Sequence, residues 1–291
     1  MIEKFYKGSQ DKILITHGKC SDGFGAAWSI WNKYGDDLEY IFATHKDIPI
    51  EVKGKKILFT DFAYERKVME KLSADNDVFV IDHHIFAFED LKGLSNTFFD
   101  LTKSGSVLAW ENTFPDKKVP LILKYVEDRD LVKYEMPYSM EILSVLDTIP
   151  KDFESWNYFS KELENNFQEV LNEGIIIREK FELKLESLTK NPIIININGK
   201  KGVAVNAEEW DYASYAAEKL SKISDFGMSW YKDEKGNIKC SFRSSNGLDV
   251  NELAKTIGGG GHANSAGATI DNKKLNEILI SGKKNKIIHK I

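Results

Sequence analysis

Three short apolar runs in the first third of the chain each end at a residue that can bind a metal ion. They read ILIT before His17, ILFT before Asp61 and VFVI before Asp82. Short apolar runs without polar alternation are typical of strands buried on both faces of a parallel sheet. Stretches with helical character separate them, which favours a doubly wound α/β domain. The carboxyl ends of such strands face the functional crevice, so the three positions should converge.

A second α/β domain is predicted after residue 190. Residues 151–190 are rich in Glu, Lys, Phe, Leu and Ile and contain one glycine, which predicts one or two long helices. β-structure restarts after Pro192 in the segment NPIIININGKKG. We therefore predict a parallel-sheet domain at 1–150, a helical connector at 151–190 and a smaller α/β domain at 191–291.

Composition and charge favour a cytoplasmic protein that acts on short ligands. The net charge is −5, whereas proteins that grip long nucleic acids are usually basic, so no binding to long duplexes is expected. No apolar run approaches the roughly 20 residues of a membrane span, and the N-terminus lacks a signal-peptide core. Two cysteines, Cys20 and Cys240, are too few for a disulfide framework. The sequence does not indicate an oligomeric state.

Six side chains at the predicted strand ends form a candidate metal site. One aspartate after a strand is commonly a helix N-cap, but capping does not explain the convergence of all six. Imidazole and carboxylate ligands together suit Mn²⁺ best, with Mg²⁺ or Co²⁺ as alternatives. Two ions are plausible because an aspartate can bridge them, and a metal pair can activate water to attack phosphorus. The six are His17, Asp22, Asp61, Asp82, His83 and His84.

A glycine-rich segment near the C-terminus is a second candidate site. Gly258–Gly261 can bring backbone N–H groups close to an anion, because glycine has no Cβ. His262 can donate a hydrogen bond to a phosphate, and Arg243 can bind one through two N–H groups. Four glycines alone are more often a flexible loop. The candidate substrate-binding residues are Arg243, Gly259, Gly260, Gly261 and His262.

The ordered set of motifs resembles the DHH phosphoesterase superfamily. Asp82–His83–His84 after a strand is accompanied by HGKCSDGFGAAW, DFAYE, SGSVLAW and VEDRDL, and GGGGHANSAGA resembles the signature of a DHHA1 domain. The resemblance covers most of the chain and is weakest across residues 140–200. It implies a two-lobed metal-dependent phosphoesterase with its metal cluster in the cleft between the lobes.

The resemblance also implies residue roles. Asp61 would bridge two ions, Asp82 would orient a ligating imidazole, and His84 would bind metal or contact the reacting phosphate, so these three are the catalytic candidates. Asp128 is preferred over Asp130 as the last ligand, because VED follows an apolar run. The implied metal ligands are His17, Asp22, Asp61, His83 and Asp128.

Cys20 departs from the pattern of the superfamily. Related enzymes usually have an aspartate two residues before the position of Asp22, whereas this chain resembles an HxxCxDGFGAA subgroup of the superfamily. A thiolate is a soft ligand that favours Zn²⁺ or Fe over Mn²⁺. Cys20 therefore either alters the first metal site or is a small packed residue.

The resemblance favours one function and leaves two alternatives. The favoured function is metal-dependent hydrolysis of a phosphodiester in a short oligonucleotide or cyclic dinucleotide. The first alternative is cleavage of a phosphoanhydride, as in an exopolyphosphatase or pyrophosphatase. The second is a nucleotide-binding protein without catalysis, for which Cys20 is the only support.

Overall fold

The computed structural model describes residues 2–18 and 20–284. The chain forms two compact units, Met1–Arg178 and Glu179–Ile291. No helix in the described part of the chain is both long and apolar enough to cross a bilayer. The division predicted from the sequence, with a connector at 151–190, stays a prediction.

Unit 1 is built on a five-stranded sheet in which every neighbouring pair of strands is parallel. The strands are β1 (Lys12–His17), β2 (Glu39–Ala43), β3 (Lys56–Thr60), β4 (Asp77–Asp82) and β5 (Thr97–Phe99). Their order is β2-β1-β3-β4-β5. The strand β3 therefore lies between β1 and β4, and the three predicted strand ends are neighbours.

Both faces of this sheet are covered, which explains why its strands are continuously apolar. Ile13 and Ile15 pack into one buried cluster together with Met69. Leu14, which points to the opposite face, packs into a second cluster together with Ala26. Alternate residues of one strand thus enter two different cores, as expected for a doubly wound sheet.

Helices separate consecutive strands of unit 1 except β2 and β3, and further helices follow the last strand. They are α1 (Ile2–Tyr6), α2 (Ser21–Tyr34), α3 (Arg66–Asp75), α4 (Ile85–Asp90), α5 (Gly105–Thr113), α6 (Leu121–Asp130), α7 (Ser139–Leu146) and α8 (Phe153–Asn165). The long helix α9 (Phe167–Thr189) runs across the division between the two units.

Unit 2 is a six-stranded mixed sheet with helices. Its strands are β6 (Ile193–Ile197), β7 (Lys200–Asn206), β8 (Gly227–Lys232), β9 (Ile238–Arg243), β10 (Gly260–His262) and β11 (Ser265–Ile270), in the order β10-β11-β9-β8-β7-β6. The helices are α10 (Trp210–Ser221), α11 (Val250–Lys255) and α12 (Asn272–Lys284). Among the described strands of unit 2, only the β7–β8 pair is parallel. The α/β class predicted for the chain is confirmed.

Candidate metal centre

The ends of β1 and β3 bring together an imidazole, a thiol and a carboxylate. His17 ends β1, Asp61 directly follows β3, and Cys20 is the N-cap of α2. Cys20 Sγ lies 3.2 Å from His17 Nδ1 and 3.6 Å from Asp61 Oδ2, and His17 Nδ1 lies 3.9 Å from Asp61 Oδ2. These three donor atoms therefore form one compact group, which we call the sulfur group.

A second donor group surrounds His83, which follows β4. Its Nε2 lies 3.6 Å from Asp22 Oδ2, 3.5 Å from Asp130 Oδ2 and 3.1 Å from Asp61 Oδ1. We call His83, Asp22 and Asp130 the oxygen group, because its other donors are carboxylates. The two oxygens of Asp61 thus face different groups, Oδ1 the oxygen group and Oδ2 the sulfur group.

Asp82 and His84 form a pair beside these groups. Asp82 Oδ1 accepts hydrogen bonds from the backbone N–H of His83 at 2.7 Å and of His84 at 3.2 Å, and lies 2.8 Å from His84 Nδ1. Since an ionised carboxylate only accepts, Nδ1 of His84 carries the proton. The His84 side chain is 50 % exposed, so its Nε2 is the nitrogen that can face a ligand.

The N-terminus of α5 fixes the carboxylate of Asp22. Its Oδ2 accepts from the backbone N–H of Gly105 at 2.7 Å and its Oδ1 from that of Ser106 at 3.0 Å. A negative charge at this end of a helix is favourable. Ser104 is the N-cap of this helix, and nothing in the sequence indicated that the helix would hold Asp22.

Gly105 is needed because Asp61 packs directly against it. A Cβ at position 105 would lie 2.4 Å from Asp61 Cβ and 2.7 Å from Asp61 Oδ1. Real side chains do not approach so closely. The glycine of the SGS motif therefore makes room for the carboxylate that faces both donor groups.

The site concentrates buried negative charge. Asp22 and Asp61 are each 2 % exposed and Asp82 is fully buried. Burial and the charge of Asp22 raise the pKa of Asp61 well above its usual range. Burial, followed by the charge of Asp22, raises the pKa of Asp130 to about 7. The hydrogen bond to Asp82 raises the pKa of His84.

A divalent cation fits this environment. Within residues 2–18 and 20–284, the cationic partners of Asp22, Asp61 and Asp82 at ion-pair distance are histidines alone. Asp82 Oδ2 is buried without a hydrogen-bond partner among the described residues. Burial lowers the pKa of His83 and keeps its ring neutral, as a metal ligand requires. Three overlapping sets of donor atoms here are close enough to hold an ion.

Asp61 also has a strained backbone, with φ of +54°. Few residues other than glycine, asparagine and aspartate adopt this left-handed conformation. Strain of this kind persists where the surroundings determine the conformation, and it is common at functional sites. The turn after β3 aims the carboxylate back towards the sheet edge, where the donor groups lie.

Asp128, preferred over Asp130 from the sequence, lies away from both donor groups. It is buried, and its carboxylate accepts hydrogen bonds from the backbone N–H of Glu135 at 2.8 Å and of Met136 at 3.2 Å, and from Ser139 Oγ at 2.6 Å. Asp128 therefore organises the loop between α6 and α7. The structure brings Asp130 to His83 in its place.

This arrangement predicts that Asp128 matters for folding stability and Asp130 for metal binding. Asp128→Ala should lower the free energy of unfolding in EDTA by about 2–4 kcal/mol, because it leaves buried donors without a partner. Asp130→Ala should not lower it, because burial and the charge of Asp22 already disfavour that carboxylate, yet should weaken metal binding. Urea denaturation in EDTA and calorimetric metal titration measure the two effects. The opposite pattern would restore Asp128 as the ligand.

The glycine-rich segment uses most of its backbone N–H groups internally. Gly258 N–H donates to Lys255 O, Gly259 N–H to Ala254 O and Gly261 N–H to Asn251 Oδ1. These three groups are not available to a phosphate in this conformation, contrary to the expectation from the sequence.

The glycines serve close packing instead. A Cβ at Gly259 would lie 2.2 Å from Gly267 O, and one at Gly261 would lie 2.6 Å from Ala266 Cα. Gly261 also has φ of +153°. The segment therefore needs glycine to let β10 pair tightly with β11. This packing requirement cannot be distinguished from anion binding in the sequence alone.

Arg243 and His262 share one face of the unit 2 sheet. Arg243 pairs with Ser265, and Ser265 pairs with His262, so the three lie in one row across β9, β11 and β10. Directly opposite residues of antiparallel strands point to the same face. The half-buried guanidinium of Arg243 donates to Ser214 Oγ of α10 and to Phe242 O. His262 is exposed.

Arg129 is a further residue beside the metal centre. Its guanidinium donates two hydrogen bonds to Asp147, each at 2.9 Å, and one to Ser21 Oγ at 2.9 Å. Ser21 lies between Cys20 and Asp22 in the chain. Arg129 thus joins Asp147 to the start of α2.

Family comparison identifies the C-terminal region of the chain. Residues 198–285 match the model of the DHHA1 domain. An uncharacterized protein, R106 of Acanthamoeba polyphaga mimivirus, is 30 % identical over 295 residues, which cover 90 % of this chain and 68 % of that protein. The bifunctional oligoribonuclease and PAP phosphatase NrnA of Mycoplasma genitalium is 39 % identical over 72 residues, 24 % of this chain and 22 % of that protein.

A solved structure shares the fold along almost the whole chain. The pGpG-specific phosphodiesterase PggH from Vibrio cholerae matches with a TM-score of 0.50 and 16 % identity, over 96 % of this chain and 98 % of that one. At this identity the likeness concerns the fold.

Proposed function

Because this chain belongs to the DHH phosphoesterase superfamily and carries a C-terminal DHHA1 domain, we propose that it hydrolyses phosphodiester bonds in short oligonucleotides or cyclic dinucleotides with divalent metal ions. The observation that most supports this proposal is the position of Asp61, whose two oxygens face two separate groups of donors. NrnA, which matches part of this chain, is named as an oligoribonuclease, and this name supports a short nucleotide substrate.

The metal ions would be held by the two donor groups described above. Imidazole and carboxylate donors at His83, Asp22 and Asp130 suit Mn²⁺, with Mg²⁺ or Co²⁺ as alternatives. Asp61 would be the carboxylate shared by both positions. When bound, the metal supplies Lewis-acid polarisation of a phosphoryl oxygen and a more acidic water. Asp130 replaces Asp128 in this set, because Asp128 holds the loop before α7.

The residues around the donors hold the reacting groups in place. Two backbone N–H groups of α5 fix both oxygens of Asp22, so its lone pairs towards His83 are oriented before any ligand arrives. Asp82 fixes the ring of His84 through Nδ1. The exposed Nε2 of His84 would then contact a phosphoryl oxygen and, as imidazolium, donate a hydrogen bond to it.

Arg243 and His262 would bind a second phosphate or terminal group of the substrate. A guanidinium forms two parallel hydrogen bonds to a phosphate, and Ser214 holds the Arg243 side chain on the face it shares with His262. The glycines Gly259, Gly260 and Gly261 would contribute by shaping the β10 hairpin, and not through the N–H groups that are already paired.

A direct assay can separate this function from its alternatives. Mn²⁺-dependent release of mononucleotide should be measured from pGpG and from a cyclic dinucleotide, with polyphosphate and pyrophosphate alongside and the Asp61→Asn variant as the blank. Turnover of either nucleotide supports the diesterase. Turnover of polyphosphate or pyrophosphate alone identifies a phosphoanhydride hydrolase. Metal binding without turnover of any of the four leaves a binding protein.

The proposed role of Arg243 predicts an effect that depends on substrate length. Arg243→Ala should raise KM for a dinucleotide by about 10-fold or more, since a charged hydrogen-bonding pair contributes about 1.5–3 kcal/mol. The KM for bis(p-nitrophenyl) phosphate should stay nearly unchanged, because this diester has no second phosphate. Arg243→Lys serves as the control that keeps the charge and loses the two-point contact. Equal effects on both substrates would refute the role.

A further inference from the structure

The donor spacing of the sulfur group lies within about 0.5 Å of the spacing around a tetrahedral ion with one sulfur ligand. Zn–S bonds of about 2.3 Å, Zn–N bonds of about 2.05 Å and Zn–O bonds of about 2.1 Å at tetrahedral angles place the donors roughly 3.4–3.6 Å apart. Among Cys20 Sγ, His17 Nδ1 and Asp61 Oδ2 the separations are 3.2, 3.6 and 3.9 Å. An octahedral Mg²⁺ would instead need adjacent donors about 2.9 Å apart.

The fold directs the sulfur of Cys20 into this group. Sγ accepts from the backbone N–H of Gly23 at 3.2 Å, so Cys20 caps helix α2 with its side chain. A Cβ on Gly23 would lie 2.1 Å from His17 O, and this close approach holds the start of α2 against the end of β1. Serine or aspartate would cap the helix equally well. The thiol therefore changes the donor atom more than it changes the fold.

The two donor groups differ in softness. The oxygen group offers two carboxylates and one imidazole, which suit Mn²⁺ or Mg²⁺. The sulfur group offers one possible thiolate and one imidazole, and soft sulfur donors select Zn²⁺ and similar ions. Asp61 belongs to the sulfur group through Oδ2, and its Oδ1 lies 3.1 Å from His83 Nε2 of the oxygen group. One centre thus combines two positions with different metal preferences.

We propose that His17, Cys20 and Asp61 bind a thiophilic divalent ion of the Zn²⁺ type, while the oxygen group keeps its preference for Mn²⁺, so that the active centre holds two different metals. This inference rests on the metal centre of the proposed function and adds the identity of one of its ions. It makes Cys20 the residue that determines metal specificity.

Cobalt absorption tests the sulfur ligand independently of activity. The metal-free protein is titrated with Co²⁺, and a thiolate-to-Co²⁺ charge-transfer band should grow in the near ultraviolet up to one equivalent. Cys20→Ser and Cys20→Asp should both lack the band, although both keep a side chain that can cap α2. Cys240→Ala is the matched control, because Cys240 is the only other cysteine and lies buried in the core of unit 2. It should keep the band.

Metal content after competition measures the preference. Wild-type protein dialysed against equal concentrations of Zn²⁺ and Mn²⁺ should retain about one of each per chain. In Cys20→Asp the ratio of bound Zn²⁺ to Mn²⁺ should fall by at least about 10-fold. Removing a residue that hydrogen-bonds to a metal ligand changes metal affinity by a similar factor. A band that persists in Cys20→Ser, or a ratio unchanged in Cys20→Asp, overturns the inference.

The same samples separate this inference from the proposed function. Hydrolysis of a dinucleotide with Mn²⁺ alone, together with metal binding that is independent of Cys20, would leave the diesterase intact and remove only the thiophilic position. Failure of wild type and all variants to bind any of the three ions would remove the metal centre itself. Thermal denaturation of each variant confirms that it is folded.

Discussion

Replacing Asp61 with asparagine should abolish turnover and at the same time stabilise the metal-free protein. The loss of activity should be about 10³-fold or more, because the carboxylate that faces both donor groups would become neutral. Asparagine has the same shape as aspartate and tolerates the left-handed backbone at this position. The fold should therefore be retained, which alanine at the same φ would not ensure.

The gain in stability follows from the pKa of Asp61, which burial and Asp22 raise. The unfolded chain gives up this proton at a lower pH than the folded chain does. Asp61 therefore costs stability above its unfolded pKa, because the folded chain keeps a proton that the unfolded chain has released, and that cost grows as the pH rises towards the folded value. Asp61→Asn removes it, so the Tm in EDTA at neutral pH should rise.

Thermal denaturation with and without metal gives the comparison for Asp61. In EDTA the variant should melt above the wild type, and with Mn²⁺ the order should reverse, since the wild type alone gains the full stabilisation of metal binding. Asp75→Asn is the matched control, because Asp75 is a partly exposed acid at the end of α3. It should change neither turnover nor metal response. An Asp61→Asn variant with normal turnover would remove the bridging assignment.

Replacing Gly105 with alanine should disable the site without touching a ligand. The added methyl would lie 2.4 Å from Asp61 Cβ, so Asp61 or helix α5 must move. The backbone N–H of Gly105 also orients Asp22, so two carboxylates would shift together. Because displacement of about 1 Å can cost 10²-fold in rate, we expect turnover to fall at least about 100-fold.

The same change should weaken metal binding, which distinguishes it from loss of substrate contact. Calorimetric titration with Mn²⁺ should give a higher Kd for Gly105→Ala. Asn112→Ala is a suitable control, because residue 112 lies seven residues further along α5, about 10 Å from Gly105. It should keep wild-type turnover and affinity. Normal activity in Gly105→Ala would show that the site accommodates the methyl group.

The architecture of unit 1 could be predicted because the hydrophobic pattern of each strand matches the place of that strand in the sheet. Continuous apolar runs such as Ile13–Thr16 identify strands covered on both faces, and the residue after each run lies at the functional edge. His17, Asp61 and His83 were predicted in this way, and the structure places their side chains close together. Their functions as ligands stay a proposal that the experiments above test.

The choice between Asp128 and Asp130 could not be made from spacing. Two residues apart on a helix correspond to about 200° of rotation, so the two carboxylates of α6 point to nearly opposite sides. Which side faces the sheet depends on how α6 packs. The loop that Asp128 holds contains Val132, Tyr134 and Tyr138, all with positive φ. This loop contains no glycine that would indicate positive φ angles. The sequence therefore did not show that the loop needs a buried hydrogen-bond acceptor such as Asp128.

The order of the strands decides which side chain can serve two ions at once. Adjacent strands lie about 4.8 Å apart, so residues at neighbouring strand ends are held at a fixed spacing along the edge of the sheet. Because β3 lies between β1 and β4, the residue that follows β3 lies between the two strand ends that carry His17 and His83. The bridging role proposed for Asp61 thus follows from the order of the strands in the sheet. The same strands wound in another order would give that role to a different residue.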